Sequence, residues 1–225
     1  MDEIAIRAPR PEDADELEAL ITAHFSEGSS YGVDLGIGDP TYHVLVAVET
    51  GDDAGIGASD DAGAGASDDA RVGASDDARV GASDDAGTDA DGRILGVMAL
   101  REFDDPAAVA DEMYFFDDPS LIPDAERHGH LEMGYVRDGA TGRGIGSRLL
   151  ERLHAVGAER GVDLFLADSW YHGGADSPEK LFDRRGYETV HREPIDRPAA
   201  ECSKCAVECT CDAALAVRRV EGGAA

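Results

Sequence analysis

The stretch TGRGIGSRLL, residues Thr141–Leu150, decides the fold of this chain. Its three glycines and Arg143 stand where an apolar, strand-like segment gives way to a helical one. Backbone N–H groups at such a turn converge at the positive end of the helix dipole, so the turn can hold a phosphate anion. Glycine-rich turns are common, however, and the interpretation depends on the segments on either side.

These flanking segments predict a strand–helix–strand unit. Residues His130–Val136 are apolar and are expected to form a buried strand before the turn, and Val162–Ala167 to form the next strand. Gly144–Arg160 is predicted to be a helix that ends at Gly161. Its apolar residues recur on one face: Leu149, Leu150, Leu153 and Val156.

The rest of the chain supplies further strands and helices. The strands are predicted at Ile4–Ala8, Tyr42–Val48, Arg93–Leu100, Tyr187–His191 and Ala213–Val220. Helices are expected at Pro11–His24 and Ser177–Arg185, each with a proline near its start. The pattern predicts a mixed α/β domain.

Residues 51–92 interrupt the strand pair Tyr42–Val48 and Arg93–Leu100. Four octads within this segment, over residues 57–88, each begin Gly-Ala-Ser-Asp-Asp-Ala. With twelve aspartates, two arginines and few large apolar residues, the segment cannot bury enough surface to offset its ordering entropy. We therefore predict a disordered acidic insertion in the loop of a β-hairpin.

The net charge of the chain argues against some classes of function. The net charge of the 225-residue chain is −28, and only two of its 20 basic residues are lysines. This composition is typical of a halophile, although an ordinary acidic protein remains the alternative. It argues against a nucleic-acid partner, which requires a basic face. No apolar run reaches the length of a membrane span and no secretory signal is recognisable, so the sequence predicts a cytoplasmic location.

Two stretches together resemble the GNAT superfamily of acyl-CoA-dependent N-acetyltransferases. The first is YVRDGATGRGIGSRLL, residues 135–150, and the second is SPEKLFDRRGY, residues 177–187. The resemblance implies a single GNAT-like domain over residues 1–225, with helices on both faces of a central mixed sheet. It also implies acetyl-CoA as co-substrate, held at Tyr135, Val136, Gly142, Arg143, Gly144, Ile145, Gly146 and Ser147.

The chain departs from the family pattern at two positions. Thr141 stands where the motif has Arg or Gln, and Phe182 stands where many members have a tyrosine thought to protonate the leaving thiolate. Because of these departures, a catalytically silent acyl-CoA-binding module, or a metal-linked sensor, is the alternative to an enzyme. The expected acceptor is a small-molecule or peptide amine, and the protein is expected to be a monomer or homodimer.

Acetyl transfer needs an oxyanion donor, a base and an acid. The resemblance places the donor N–H within Met133–Tyr135, with Gly134 marking a strand irregularity. Glu132 and His130 share one side of the strand and are the candidate bases, although Glu132 is equally well an ordinary strand-end carboxylate. Tyr171 is the candidate acid that replaces Phe182. Asp168 and Trp170 are expected near the acceptor, although Trp170 is equally well a core residue.

All four cysteines fall within ten residues: Cys202, Cys205, Cys209 and Cys211. Thiols remain reduced in a cytosol, and four thiolates suit a closed, structural zinc site. An iron–sulfur cluster and metal-free cysteines are the alternatives, since the spacing is tighter than in common zinc ribbons. The sequence predicts that this loop, residues 200–212, binds a metal outside the family pattern.

Overall fold

Seven strands form one continuous sheet in the computed structural model, which describes residues 3–25, 35–50, 92–174, 177–195, 202, 205 and 208–220. The sheet order is β1-β2-β3-β4-β5-β7-β6. The strands are β1 (Glu3–Arg7), β2 (Tyr42–Thr50), β3 (Ile94–Phe103), β4 (His128–Val136), β5 (Leu164–Tyr171), β6 (Glu188–Pro194) and β7 (Asp212–Arg219).

Helices cover both faces of this sheet. They are α1 (Ala14–Phe25), α2 (Pro106–Glu112), α3 (Ile145–Glu159) and α4 (Glu179–Arg184), with short 3-10 helices at Pro11–Asp13 and Pro119–Leu121. The apolar residues of α3 and α4 pack on one face, whereas α1 and α2 cover the other. Among the described residues, no helix is long and apolar enough to cross a membrane. The predicted mixed α/β sheet is confirmed.

The pairing of β4 with β5 is the feature that positions the site. All other neighbours are antiparallel, but β4 and β5 are parallel and are joined through α3. They pair only over His128–His130 and Leu164–Leu166, although both strands continue further. Residues 131–136 and 167–171 therefore face each other without strand pairing, and we call this opening the splay.

A β-bulge lies at Glu132. Ala99 pairs with Met133 and Leu100 pairs with Leu131, so Glu132 is the extra residue in β4. Its effect is visible in the packing, because Leu131 joins the core under α3 whereas Met133 and Tyr135 face α1. The irregularity was expected at Gly134, which is instead in register with Met98.

Two expectations about the elements need correction. β5 extends to Tyr171, so Asp168, Trp170 and Tyr171 lie within this strand and not after it. The segment between β3 and β4 carries α2, for which the sequence analysis predicted no element. β2 and β3 form the expected antiparallel hairpin, but residues 51–91 of the predicted insertion lie outside the described residues.

Candidate active site

The turn between β4 and α3 exposes its backbone. Gly139, Gly142 and Gly144 have φ angles of 82°, 77° and 75°, a left-handed conformation that favours glycine. A Cβ at any of these positions would meet no atom of the described residues within 4 Å, so that part of the chain leaves the space above the turn open. Gly144 is the N-cap residue directly before α3 and provides no side-chain cap for the first-turn N–H groups. These groups are arranged to receive an anion.

Arginine side chains anchor the turn to its neighbours. Arg143 contacts Glu49 with an Nη1–Oε1 distance of 3.0 Å, and Arg148 donates to the Ile4 carbonyl at 2.6 Å. Arg137 pairs with Glu16 of α1 at 2.8 Å. The Ile145 side chain is 1% exposed and belongs to the core. Ile145 is one of the predicted acetyl-CoA-binding residues, and only its backbone is therefore available to a ligand.

The direction of backbone N–H groups in β4 can be read from one bond. Arg137 donates its N–H to the Leu95 carbonyl of β3 at 2.8 Å. Because N–H directions alternate along a strand, Tyr135 also faces β3, and Gly134 and Val136 direct their N–H groups toward the splay. Gly134 is the residue of the predicted Met133–Tyr135 window that offers a donor there.

Glu132 lies at the bulge in an ion pair with Arg101 of β3. Its Oε1 accepts from the Arg101 Nε at 2.6 Å, and the Glu132 side chain is 17% exposed. The Arg101 guanidinium in turn lies 4.4 Å from the ring centroid of Tyr42. The carboxylate is thus held in one position beside the splay.

His130 and Asp168 form a buried pair across β4 and β5. The Nε2–Oδ1 distance is 2.8 Å, and the side chains are 2% and 4% exposed. The Asp168 Oδ2 also accepts the N–H groups of Tyr114 and Phe115 at 2.6 and 2.9 Å. Burial alone would raise the Asp168 pKa, but the His130 hydrogen bond and these N–H groups outweigh it and lower that pKa.

Tyr171 lies on the opposite sheet face from Glu132 and His130. Residues along β5 alternate, so Asp168 and Trp170 face the side of α2, whereas Tyr171 packs in the core with Phe182 and Tyr187. Burial raises the pKa of Tyr171, opposed in part by Thr189. The structure therefore pairs His130 with Asp168 on the sheet face that also carries Glu132, and it places Tyr171 on the opposite face.

The four cysteines meet at the start of β7. All four sulfur atoms lie within 4.8 Å of one another. Cys211 is 3.8 Å from Cys202 and 3.5 Å from Cys205, measured between Sγ atoms. Burial raises the pKa of the metal-free Cys211 thiol to about 12, so as a free thiol it would be a poor nucleophile at neutral pH.

Comparison with known proteins points to one family. Residues 67–173 match a family model described as the acetyltransferase (GNAT) family, and this match includes the turn, α3 and the splay. This part of the chain is therefore similar to the GNAT acetyltransferases. Among curated proteins, no match is found for this sequence.

Solved structures of N-acetyltransferases share the fold of this chain. Arabidopsis thaliana NAA60 with a bisubstrate analogue aligns with a TM-score of 0.56 at 15% identity, over 98% of this chain and 99% of that chain. NAA60 with acetyl-CoA gives 0.54 at 14% identity, over 98% and 100%. A GCN5-related N-acetyltransferase from Kribbella flavida gives 0.53 at 13% identity, over 96% and 98%.

The similarity to GNAT acetyltransferases leaves the two departures at Thr141 and Phe182 in place. Phe182 of α4 is 6% exposed and its ring lies 4.9 Å from that of Tyr187, so it serves as a core residue. Thr141 is exposed beside the glycine turn. Sequence reasoning placed Asp168 near the acceptor but missed its bond to His130 and the pairing of Arg101 with Glu132. The partners in these two pairs are 38 and 31 positions apart in the chain, so no local sequence pattern connects them.

Proposed function

We propose that this protein transfers an acetyl group from acetyl-CoA directly to an amine while both substrates are bound. The observation that carries the proposal is the splay, which opens between β4 and β5 directly before the glycine turn. A thioester arm lying in the splay would have its phosphates at the turn. The amine could then reach the same carbonyl from the face that carries Glu132.

The open turn fits the pyrophosphate of acetyl-CoA. Its backbone N–H groups at Gly142, Arg143, Gly144 and Gly146 would hold the phosphates, and the left-handed glycines permit close approach. Acetyl-CoA supplies the activated acetyl group. The chain's own contribution is to align that group with the amine, which removes much of the entropic barrier.

Negative charge develops on the thioester oxygen as the amine attacks. The Gly134 N–H, which is directed toward the splay, is our proposed donor to that oxygen. A fixed donor stabilises such charge more than it stabilises the ground state, because it needs no reorganisation.

We propose Glu132 as the base that removes the amine proton, directly or through a water. It stands at the bulge and is 17% exposed, and Arg101 holds it in position. His130 is the less suitable group, because its Nε2 is already bonded to Asp168. We assign His130 a positioning role beside Glu132.

Tyr171 is the proposed proton donor to the leaving thiolate. It packs on the face of α4, where Phe182 occupies the place of the family's tyrosine. Its raised pKa keeps the hydroxyl protonated at neutral pH. Base and acid would then act from opposite faces of the splay.

Thiol release from acetyl-CoA, measured against a panel of peptide amino termini, amino sugars and polyamines, tests the activity. We expect turnover on at least one amine, with a product heavier by one acetyl group. Glu132→Gln should lower kcat about 100-fold or more at unchanged KM for acetyl-CoA, as expected for loss of a general base.

Three variants separate the roles. Tyr171→Phe should lower kcat, whereas His130→Gln should alter the pH profile more than the maximal rate. Glu18→Gln, at an exposed carboxylate on α1, serves as the matched control and should retain full activity. Turnover by Glu132→Gln at the wild-type rate would eliminate Glu132 as base, and tight CoA binding without turnover on any amine would contradict acetyl transfer.

A further inference from the structure

We propose that Cys202, Cys205, Cys209 and Cys211 bind one zinc ion in a closed tetrahedral site. Zinc–sulfur bonds of about 2.3 Å place the sulfurs of a tetrahedron about 3.8 Å apart. The distances from Cys211 Sγ to Cys202 Sγ and Cys205 Sγ are 3.8 and 3.5 Å. All four sulfurs fall within 4.8 Å of each other, so one ion can reach every one of them.

The geometry favours a single ion over disulfides. A disulfide brings two sulfurs to about 2.05 Å and leaves other sulfurs outside the pair. Here none of the four cysteines forms a disulfide, and Cys211 lies at similar distances from two different partners. That arrangement is a cluster around a common centre and not a set of pairs.

The same distances favour zinc over an iron–sulfur cluster. A cluster places several iron and sulfide atoms between its cysteine ligands, which separates the cysteine sulfurs further than one central ion does. Four thiolates in a tetrahedron are also the ligand set that zinc prefers in structural sites. With four protein ligands no position remains for a substrate, so the site is structural.

The burial of the cluster provides a second observation. Cys202 and Cys211 are 7% and 1% exposed, so two of the four sulfurs are shielded from solvent. Burial of this kind limits the access of water to a bound metal.

The position of the site explains what the ion would do. Cys211 directly precedes β7, and its carbonyl accepts the Ile195 N–H at 3.0 Å, just beyond the end of β6. The zinc would hold the connection between β6 and β7 together at the point where β7 enters the sheet. It would therefore fix the β6 edge of the sheet, which β7 and β5 separate from the splay, independently of whether acetyl transfer is the reaction.

Metal analysis of the full chain, purified without chelator, tests the site. We expect one zinc per chain, and loss of most of that zinc in Cys205→Ser and Cys209→Ser. Thr210→Ala is the matched control, since Thr210 is exposed between two ligands and should leave the zinc content unchanged. Metal-free protein with four titratable thiols would overturn the proposal, and bound iron would overturn the assignment of zinc.

Cobalt substitution keeps the test valid if a cysteine variant fails to fold. Wild-type protein stripped of metal and titrated with Co²⁺ should develop the visible absorption of tetrahedral cobalt thiolate, with an end point at one equivalent. Added Zn²⁺ should abolish this absorption. Absence of the absorption, or an octahedral spectrum, would contradict a four-thiolate site.

Discussion

At the scale of single residues, His154 shows how packing holds a titratable side chain neutral. Its Nε2 lies 2.8 Å from the Tyr187 hydroxyl. Burial raises the Tyr187 pKa above its usual range, so this hydroxyl stays protonated and donates a hydrogen bond to His154. Burial, assisted by the charges of Arg218 and Arg185, lowers the pKa of His154 to about 3. The neutral imidazole therefore accepts the bond.

This neutral histidine predicts a pH-dependent stability. In the unfolded chain His154 binds a proton below about pH 6.5, but the folded chain does not bind it until about pH 3. The unfolded state thus holds more protons in that window, so the free energy of unfolding falls as the pH falls. Between pH 8 and 5 we expect a loss on the order of 1–2 kcal/mol from this group.

Urea unfolding of wild type and His154→Gln at pH 8, 6.5 and 5 measures the effect. Glutamine retains an acceptor for Tyr187 but does not titrate. The variant should therefore lose less stability than wild type between pH 8 and 5. Equal losses in the two proteins would show that His154 does not titrate as its burial requires.

At the same scale, the sequence predicted the glycine turn but not the side-chain pairs of the candidate site. The turn was predictable because glycine at Gly142 and Gly144 is what a left-handed backbone favours. The Glu132–Arg101 and His130–Asp168 pairs were not, since each joins distant positions whose proximity is fixed only by the strand register.

At the scale of elements, local signals explain which boundaries could be read. α2 was missed although its start is encoded locally, as Asp105 accepts the Ala107 N–H at 2.9 Å and Pro106 follows it. The length of β5 was not encoded in this way. Asp168 interrupts the apolar run, and it is tolerated in the strand because His130 and two backbone N–H groups satisfy it.

Two glycines on α3 give an element-scale prediction. A Cβ at Gly157 would lie 2.7 and 2.9 Å from ring atoms of Phe165, whereas a Cβ at Gly146 would lie 3.6 Å from Leu181. Alanine gains about 1 kcal/mol of helix propensity at either site. At Gly157, overpacking against a fully buried ring should outweigh that gain by about 1–2 kcal/mol.

Chemical denaturation of both variants measures the difference. Gly157→Ala should be less stable than wild type, and Gly146→Ala, the matched control, should be equally or more stable. If Gly157→Ala were as stable as Gly146→Ala, then α3 would not pack as closely on β5 as the structure indicates.

At the scale of the whole molecule, charge is distributed unequally. Glu102 is buried and shared among His43, Arg127 and Arg160, so some acidic residues are tightly paired. The chain has 48 acidic residues but only 20 arginines and lysines, however, which leaves a net charge of −28. Mutual repulsion should destabilise the folded state at low salt and be screened at high salt.

The segment 51–91 provides a test of this repulsion. It contains twelve aspartates and two arginines, which is ten of the 28 net negative charges. The flanking strands already meet, since the Glu49 N–H donates to the Arg93 carbonyl at 3.0 Å. Replacing residues 51–91 by Asn-Gly would therefore close the β2–β3 hairpin with a two-residue turn that suits its twist.

We expect this shortened chain to fold, to retain CoA affinity, and to have a higher Tm at low salt. Two effects contribute. The shorter loop lowers the entropic cost of loop closure by about 2 kcal/mol. The replacement also removes ten net negative charges, which reduces repulsion within the folded chain. A full-length chain with the twelve aspartates changed to serine separates them, as it keeps the loop and loses only charge. Thermal unfolding from 0.1 to 3 M KCl should give a shallower salt dependence for both variants than for wild type. If the serine variant kept the wild-type salt dependence, the repulsion would reside in the rest of the chain, whose surplus of acidic residues this experiment leaves unchanged.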